Sequence, residues 1–282
     1  MRTIKDPKEM QAYSLKMKGQ GKTIGFVPTM GYLHEGHLSL VAAAKTKADI
    51  VVVSIFVNPT QFGPEEDFRS YPRDLKHDKK LLNDFAVDIL FFPSAARMYP
   101  KGSQSFVDPG GLAEKMCGLS RPNHFRGVDT IVSKLFNIVQ PNLAFFGEKD
   151  YQQQLIIRKM AEELNFPTKV ISLPTIREFD GLAMSSRNKY LLPEQRKQAA
   201  ILYQVLRLAK KEIKGGEKNS RRLLSRLRRL MASAPSLKLD YLVIVDPETL
   251  EETKTIKGKT LIALAAYIGK TRLIDNLVVE TK

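Results

Sequence analysis

The sequence predicts an α/β fold: a parallel sheet covered by helices on both faces, followed by a smaller α+β domain. In the first half, short runs rich in Val, Ile and Phe alternate with segments of helical periodicity. These runs lack polar alternation, which is typical of strands buried on both faces. From Pro193 onward the pattern changes to two amphipathic segments and then to three strand-like runs. Alternating strands and helices of the first kind build a parallel sheet through right-handed crossovers.

Residues 23–29, 48–57, 87–93, 142–147 and 168–174 are the runs predicted as parallel strands. Between them, helical periodicity is found in residues 37–47, 73–85, 128–139 and 151–164. Ligands of such sheets bind beyond the carboxyl ends of the strands. The loops that follow the strands are therefore where we expect functional residues.

The last third of the chain predicts a different architecture. Helices are expected over 194–214 and 218–232, separated by two glycines, with Pro193 suited to the first helical turn. Alternating polarity in residues 237–247, 260–269 and 272–280 predicts an antiparallel sheet. We therefore predict two domains, residues 1–175 and residues 176–282.

Composition and charge narrow the range of functions. The net charge of +15 attracts polyanions such as nucleotides or nucleic acid. Much of the surplus lies in residues 207–229, which we interpret as a solvated helix face, with an RNA- or membrane-binding face as the alternative. Cys117 is the only cysteine, so neither an intrachain disulfide nor a Cys-based zinc site is expected. No signal peptide or membrane-length apolar run is evident, so we expect a cytoplasmic protein without a nucleic-acid or membrane partner.

The strongest chemical signal follows the first predicted strand. In the segment PTMGYLHEGH, His34 and His37 lie where a loop becomes a helix. A helix start presents unpaired N–H groups and a positive dipole end to an anion, and two imidazoles there can bind phosphate oxygens. Metal binding and helix capping remain alternatives for this pair, although the spacing differs from that of zinc proteases.

Three further polar segments follow other predicted strands. The sequence MSSR, residues 184–187, combines two hydroxyls with a guanidinium that can bind phosphate. The sequence GEKD, residues 147–150, opens a helix with Lys149 as a mobile cation. In FVNPTQF, Asn58 and Gln61 offer amides suited to an oriented hydroxy acid. Each segment alone also fits an ordinary turn or helix start, but all of them fall at the ligand-binding edge of the predicted sheet.

These segments resemble a known family. The segments concerned are PTMGYLHEGH, FVNPTQFGPEEDFRSYPRD, RPNHFRGV, FFGEKDYQQ, PTIREFDGLAMSSRN and GKTRLIDN. Together they resemble the pantothenate synthetase (pantoate–β-alanine ligase) family, with matching residues in matching order over nearly the whole chain. The resemblance implies a Rossmann-like domain of the nucleotidyl-transfer superfamily that includes class I aminoacyl-tRNA synthetases. It also implies an ATP-dependent condensation of pantoate with β-alanine through pantoyl adenylate, with Mg²⁺ accompanying ATP, in a homodimer whose C-terminal domain is a lid.

The resemblance also implies roles for individual residues. His37, His34 and Lys149 would be catalytic, and Gln61, Gln153 and Asn58 would bind pantoate or β-alanine. ATP would be bound by Met30, Gly31, Tyr32, Leu33, His34, Glu35, Gly36, His37, Gly147, Glu148, Lys149, Asp150, Ile176, Met184, Ser185, Ser186 and Arg187. The resemblance does not assign the residues that would bind the metal. Tyr32, Asn123 and Asp129 depart from the small, glycine and smaller or apolar residues expected at their positions.

Two rival functions are open at this point. Another nucleotidyl-transfer enzyme would use a different acceptor, for example a phosphorylated one or RNA. A nucleic-acid-binding protein would account for the charge of +15 and would bind in a strongly salt-dependent way. The second reading leaves the polar segments at the strand ends unexplained.

Overall fold

The computed structural model describes residues 1–281, and their contacts divide the chain into two compact units. Unit 1 comprises Met1–Glu114, Arg121–Glu148 and Gln152–Pro174. Unit 2 comprises Lys115–Ser120, Lys149–Tyr151 and the chain from Thr175 onward. Two short segments of the first half thus pack with the C-terminal part of the chain.

Unit 1 is built on a six-stranded sheet in which every neighbouring pair is parallel. The strand order is β1-β4-β3-β2-β5-β6. The strands are β1 (Arg2–Ile4), β2 (Ile24–Thr29), β3 (Ile50–Ile55), β4 (Ile89–Phe91), β5 (Leu143–Gly147) and β6 (Lys169–Leu173). The predicted parallel α/β sheet is confirmed.

The central strands are buried because helices cover both faces of the sheet. Every residue of β3 is buried, as its uninterrupted apolar sequence predicts. One face packs a cluster that includes Phe26 and Phe136, and the other packs a cluster that includes Val27 and Phe145. The alternation of neighbouring residues between the two clusters is the period-two geometry of a strand.

The helices of unit 1 provide the cover over the faces of the sheet. They are α1 (Pro7–Gly19), α2 (Glu35–Lys45), α3 (Leu75–Asp84), α4 (Ala95–Met98), α6 (His124–Val139) and α7 (Tyr151–Glu163, whose first residue is assigned to unit 2). The short helix α5 (Cys117–Ser120), which lies between α4 and α6 in the sequence, belongs to unit 2. Strand β1 and helix α1 were not predicted, because three residues carry too little periodicity and α1 has only a weak apolar face.

Besides α5, the described part of unit 2 contains three α-helices and an antiparallel sheet of order β7-β8-β9, as the α+β prediction requires. These elements are α8 (Pro193–Ala199), α9 (Ile201–Lys214), α10 (Ser220–Met231), β7 (Leu237–Val245), β8 (Lys259–Ile268) and β9 (Thr271–Glu280). Their core includes Leu202, Leu227 and Leu264, all fully buried. The single helix predicted over 194–214 is interrupted at Ala200, so it forms α8 and α9.

Across residues 1–281, no helix has both the length and the apolar character needed to cross a membrane.

Candidate active site

The loop between β2 and α2 is shaped by backbone constraints at its start. Gly31 has φ +82°, and a Cβ there would lie 2.9 Å from Ile55 Cγ2, so glycine is required. Tyr32 follows with φ +53°. The N–H groups of Tyr32 and Leu33 donate to the two carboxylate oxygens of Asp78 at 2.9 and 2.8 Å. Asp78 therefore stabilises a left-handed turn that a tyrosine alone would disfavour.

Asp78 lies on α3 and is 1% exposed. Burial raises its pKa above the ordinary value, while the N–H groups of Leu33 and Tyr32 act in the opposite direction. It is a site residue that the sequence analysis did not single out. The available signal was an acid placed four residues before the buried Leu82, on the apolar side of the predicted helix.

His34 and His37 lie together at the start of α2. Their ring centroids are 4.1 Å apart. The Nδ1 of His34 accepts from the N–H of Gly36 at 3.2 Å, and the Nδ1 of His37 accepts from the N–H of His34 at 3.4 Å. In the neutral rings the proton is then on Nε2, which is a hydrogen-bond donor. The capping role and the anion-binding role are thus compatible, because they use different nitrogen atoms.

Asn58 and Gln61 lie on the 3₁₀ turn after β3, and both are buried. Asn58 Nδ2 donates to Gln61 Oε1 at 3.1 Å, and Gln61 Nε2 donates to Met30 Sδ at 3.4 Å. Asn58 also accepts from the hydroxyl of Tyr99 at 2.8 Å. The structure therefore brings Met30, Asn58 and Gln61 together and fixes the orientation of the Gln61 amide.

Helix α6 supports this turn from behind. A Cβ on Gly127 would lie 2.4 Å from the carbonyl oxygen of Thr60, so only glycine permits this approach. The Gly127 carbonyl accepts from Asn58 Nδ2 at 3.0 Å. His124 Nδ1 lies 2.8 Å from the Gln61 carbonyl oxygen, which can only accept, so Nδ1 carries the proton. These contacts explain the sequence RPNHFRGV, whose residues had been given no individual roles.

An ion pair completes the support. Arg121 binds both carboxylate oxygens of Glu66, at 2.7 and 2.6 Å. Its Nη1 also lies 2.9 Å from His124 Nε2, which accepts because an arginine only donates. The bidentate geometry holds Arg121 in one position and thereby fixes the His124 ring.

The end of β5 and the start of α7 carry the next set of predicted residues. Gly147 ends β5 and Glu148 begins a 3₁₀ turn. Gln153 is half-buried on α7. Its neighbour Gln152 is buried, and its Nε2 donates to the Leu112 carbonyl oxygen at 2.9 Å.

Lys149 and Asp150 belong to unit 2. The Lys149 ammonium lies 3.7 Å from the Asp150 carboxylate, and the Lys149 side chain is 20% exposed. The carbonyl oxygen of Lys149 accepts from Asn276 Nδ2 on β9 at 2.9 Å. The backbone of this segment is therefore held by the antiparallel sheet.

The segment 176–187 forms a hairpin and a 3₁₀ turn in unit 2. The N–H of Met184 donates to the carbonyl of Ile176 at 3.0 Å, and Ser185 caps the turn Ser186–Tyr190 by accepting from the Arg187 N–H. Arg177 binds both oxygens of the buried Asp275, at 2.6 and 3.0 Å. Because Asp275 and Asn276 are adjacent on β9, one strand positions both this hairpin and Lys149.

The three departures from the resembled pattern have different structural settings. Tyr32 and Asn123 both have positive φ, and asparagine is among the few side chains that tolerate this conformation. Asn123 thus fits a position where glycine was expected. Asp129 is buried within α6, and neither of its carboxylate oxygens has a hydrogen-bond partner in the part of the chain that the structure describes. In residues 1–281 no cluster of three or more His, Cys, Asp or Glu side chains is arranged to hold a metal ion.

A family comparison decides what kind of protein carries this site. The model of the family described as pantoate-beta-alanine ligase matches residues 2–278. The chain belongs to the pantoate-beta-alanine ligase family. It is therefore a ligase, and the family resemblance read from its six segments is confirmed.

Relatives of this family are similar over their full length. Pantothenate synthetases from Heliobacterium modesticaldum and Moorella thermoacetica are 54% and 53% identical, over 99% and 95% of this chain and 100% and 95% of theirs. A crystal structure of pantoate-beta-alanine ligase from Thermus thermophilus is 45% identical, with a TM-score of 0.93 and coverage of 98% of this chain and 99% of that one. The Francisella tularensis ligase, crystallised in complex with beta-gamma ATP and beta-alanine, is 38% identical, with a TM-score of 0.82 over 99% of this chain and 97% of that one.

Proposed function

We propose that this chain condenses (R)-pantoate with β-alanine to form pantothenate, using ATP through a pantoyl-adenylate intermediate and releasing AMP and pyrophosphate. The observation that carries the proposal is the cluster of half-buried Met30 with buried Asn58 and Gln61, with its oriented amide, in a chain of the pantoate-beta-alanine ligase family. The ATP and β-alanine bound to the Francisella tularensis ligase support it.

In the first step, a pantoate carboxylate oxygen attacks the α-phosphorus of ATP, and pyrophosphate leaves. Negative charge grows on the phosphates, and donors aimed at it lower the barrier. His34 and His37 supply Nε2–H groups at the start of α2, whose N-terminus favours anions. His37 is the proposed proton donor. Lys149 and Arg187 supply positive charge to the phosphates.

Pantoate is held by amides in this proposal. Because Gln61 Oε1 is occupied by Asn58, the Gln61 NH₂ group is presented as a donor. Gln153 on α7 is the second pantoate ligand. Gln61 also lies next to the β-alanine position.

In the second step, the β-alanine amine attacks the activated carbonyl carbon, and AMP leaves while the nitrogen loses a proton. Mg²⁺ bound to ATP would neutralise phosphate charge, since this metal is usually held mainly by substrate phosphates and few carboxylates. The half-exposed carboxylate of Asp150 fits that donor set, because it can bind a metal-bound water.

The nucleotide is further held, in this proposal, by residues 30–37 and 147–150, by the backbone at Ile176, and by Met184, Ser185 and Ser186. Residues 1–175 form the nucleotide- and pantoate-binding domain, and residues 176–282 form a lid. In this proposal the active protein is a homodimer. Light scattering of the purified chain measures its molar mass and thereby tests this.

The deciding experiment separates the two half-reactions. Purified protein with ATP, Mg²⁺, pantoate and β-alanine is expected to release AMP and pyrophosphate over many turnovers only when all are present, with product mass equal to the amide of the two acids. Without β-alanine, pantoate alone is expected to support exchange of labelled pyrophosphate into ATP. Pantoate labelled with ¹⁸O in its carboxylate is expected to transfer one ¹⁸O to AMP.

Different outcomes reject different parts of the proposal. Release of ADP and phosphate, or ¹⁸O in phosphate rather than in AMP, would show that the intermediate is an acyl phosphate and not an adenylate. Turnover that does not require pantoate would reject the substrate.

A further inference from the structure

A cavity of about 380 Å³ lies in unit 1 between the segment 107–112 and helices α6 and α7. The segment is fastened at both ends. The N–H of Val107 donates to Thr130 Oγ1 on α6 at 3.0 Å, and the carbonyl of Leu112 accepts from Gln152 on α7 at 2.9 Å. None of the residues that line the cavity is assigned to the ATP, pantoate or β-alanine site.

The cavity wall contains the buried Asp129. This residue is 1% exposed, and both carboxylate oxygens lack a hydrogen-bond partner in the described chain. A buried carboxylate without a partner is strongly unfavourable, so it must bind either a proton or a cation. Burial, reinforced by the nearby Asp108, raises the pKa of Asp129 to about 7.

The charges around the cavity favour a cation. Asp108 and Glu163 are exposed on its lining, and Lys159 is its only basic lining residue among those described, so three acids oppose one base. This acidic concavity occurs in a chain whose net charge is +15. Clefts lined by one sign of charge concentrate the opposite ion.

The shape and walls favour an organic cation over a metal ion. No group of three or more acidic, His or Cys side chains in the described residues is arranged to hold a metal. The space is much larger than a bare ion needs, and Ile156, Met160 and Leu164 give it apolar surface from α7 and the residue that follows it. An ammonium group donates several hydrogen bonds to a carboxylate, and a short alkyl chain fits apolar walls.

We propose that this cavity binds a small primary alkylammonium ion, whose ammonium group pairs with Asp129 and whose alkyl chain packs against α7. Access to the carboxylate requires a rotamer change of Asp129, because its oxygens are not accessible to solvent in the structure. The ion and the proton compete for the same carboxylate, so binding strengthens as the pH rises.

The test uses n-butylammonium chloride as the probe, with the full-length protein in phosphate buffer at pH 8. Calorimetry is expected to give saturable binding with one site. Asp129→Asn removes the charge at nearly constant shape and is expected to weaken binding at least tenfold. The matched control Asp84→Asn, which removes an exposed acid on α3, is expected to bind as the wild type does.

Selectivity distinguishes the proposed site from a general cation effect. Potassium and tetramethylammonium chloride at equal ionic strength are expected not to compete, because neither offers both N–H donors and an alkyl chain. β-Alanine, whose proposed substrate site is elsewhere, is expected to displace n-butylammonium only weakly, since its carboxylate would enter an acidic cavity. Lowering the pH to 5.5 is expected to reduce the wild-type affinity at least tenfold, because Asp129 is then protonated.

A second readout covers the case in which Asp129→Asn unfolds. The ¹³C-methyl signal of Met160 in the wild type is expected to shift with butylammonium along the same titration. Absence of binding at 100 mM probe, equal binding by Asp129→Asn, equal competition by potassium, or displacement of the probe by an equal concentration of β-alanine would each overturn the proposal.

Discussion

At the residue scale, the two site histidines use their ring nitrogens for different purposes. In each ring Nδ1 accepts a backbone N–H at the start of α2, so the neutral ring carries its proton on Nε2. Helix capping and phosphate binding had been competing interpretations of this pair. Because capping uses Nδ1 and phosphate binding would use Nε2, a substitution can test the two roles separately.

His37→Asn is the substitution that separates them. Asparagine keeps an acceptor near the position of Nδ1 but lacks the Nε2–H donor. We expect the melting temperature to change by no more than about 2 °C and the KM for ATP to change little, while kcat falls by about 10²–10³. Steady-state kinetics and thermal unfolding measure this. A near-normal kcat in this variant would show that His37 takes no part in the chemistry. His37→Gln serves as the converse control.

Asp129 makes stability depend on pH. Its pKa in the folded chain is raised to about 7 from an ordinary 3.8, so between these values the folded state holds a proton that the unfolded state has released. Stability therefore falls as the pH rises through this window and is level above it. Between pH 5 and 8 we expect the wild type to lose about 3 kcal/mol more than Asp129→Asn.

Hydrogen exchange of α6 amides over this pH range measures the effect. The buffer must be phosphate rather than Tris, because Tris is a primary amine that would occupy the proposed site. Parallel pH profiles for the two proteins would show that Asp129 is not buried as a neutral acid.

At the element scale, α6 positions the turn that carries Asn58 and Gln61. The helix approaches the turn at Gly127, holds it with His124, and is itself held by the pair of Arg121 and Glu66. In unit 2, β9 has the corresponding role for Lys149 and for the hairpin after β6, through Asn276 and Asp275.

Gly127→Ala tests the approach of α6 to the turn. The new Cβ would meet the Thr60 carbonyl oxygen at 2.4 Å, so helix and turn must move apart. We expect a loss of about 1–3 kcal/mol in stability and a raised KM for pantoate, because Gln61 is displaced. Gly19→Ala is the matched control, since a Cβ there meets nothing within 4 Å. An unchanged KM would mean that α6 does not position the substrate amide.

At the scale of the whole molecule, the chain has separate hydrophobic cores. Two clusters lie on the faces of the parallel sheet in unit 1, and a third lies between the helices and the antiparallel sheet of unit 2. The basic residues of α9 and α10 are largely exposed, including Arg221, Arg228 and Arg229, as both the solvated-face interpretation and its alternative, an RNA- or membrane-binding face, require.

Leu227→Ala tests whether the cores are energetically separate. Leu227 is fully buried in the core of unit 2, and its truncation is expected to cost about 2–5 kcal/mol. Hydrogen exchange is expected to accelerate in α9, α10 and β7–β9, with strands β2 and β3 unchanged. Equal acceleration in β2 and β3 would show that the units unfold as one, and Leu224→Ala, at a half-buried position, is the control.

Apolar periodicity along the chain was enough to predict the fold class and most of the elements, because it reports which faces are buried. The order of residues also placed the polar segments at the strand ends and carried the family resemblance. How those segments are held depends on packing between distant parts of the chain. Asp78, Gly127 and Asn276 support site residues 45, 69 and 127 positions away, and no local pattern encodes such partners. Tertiary packing also explains why Asp129 has no hydrogen-bond partner among the described residues. Packing among α6, α7 and the segment 107–112 buries its carboxylate without placing a donor beside it.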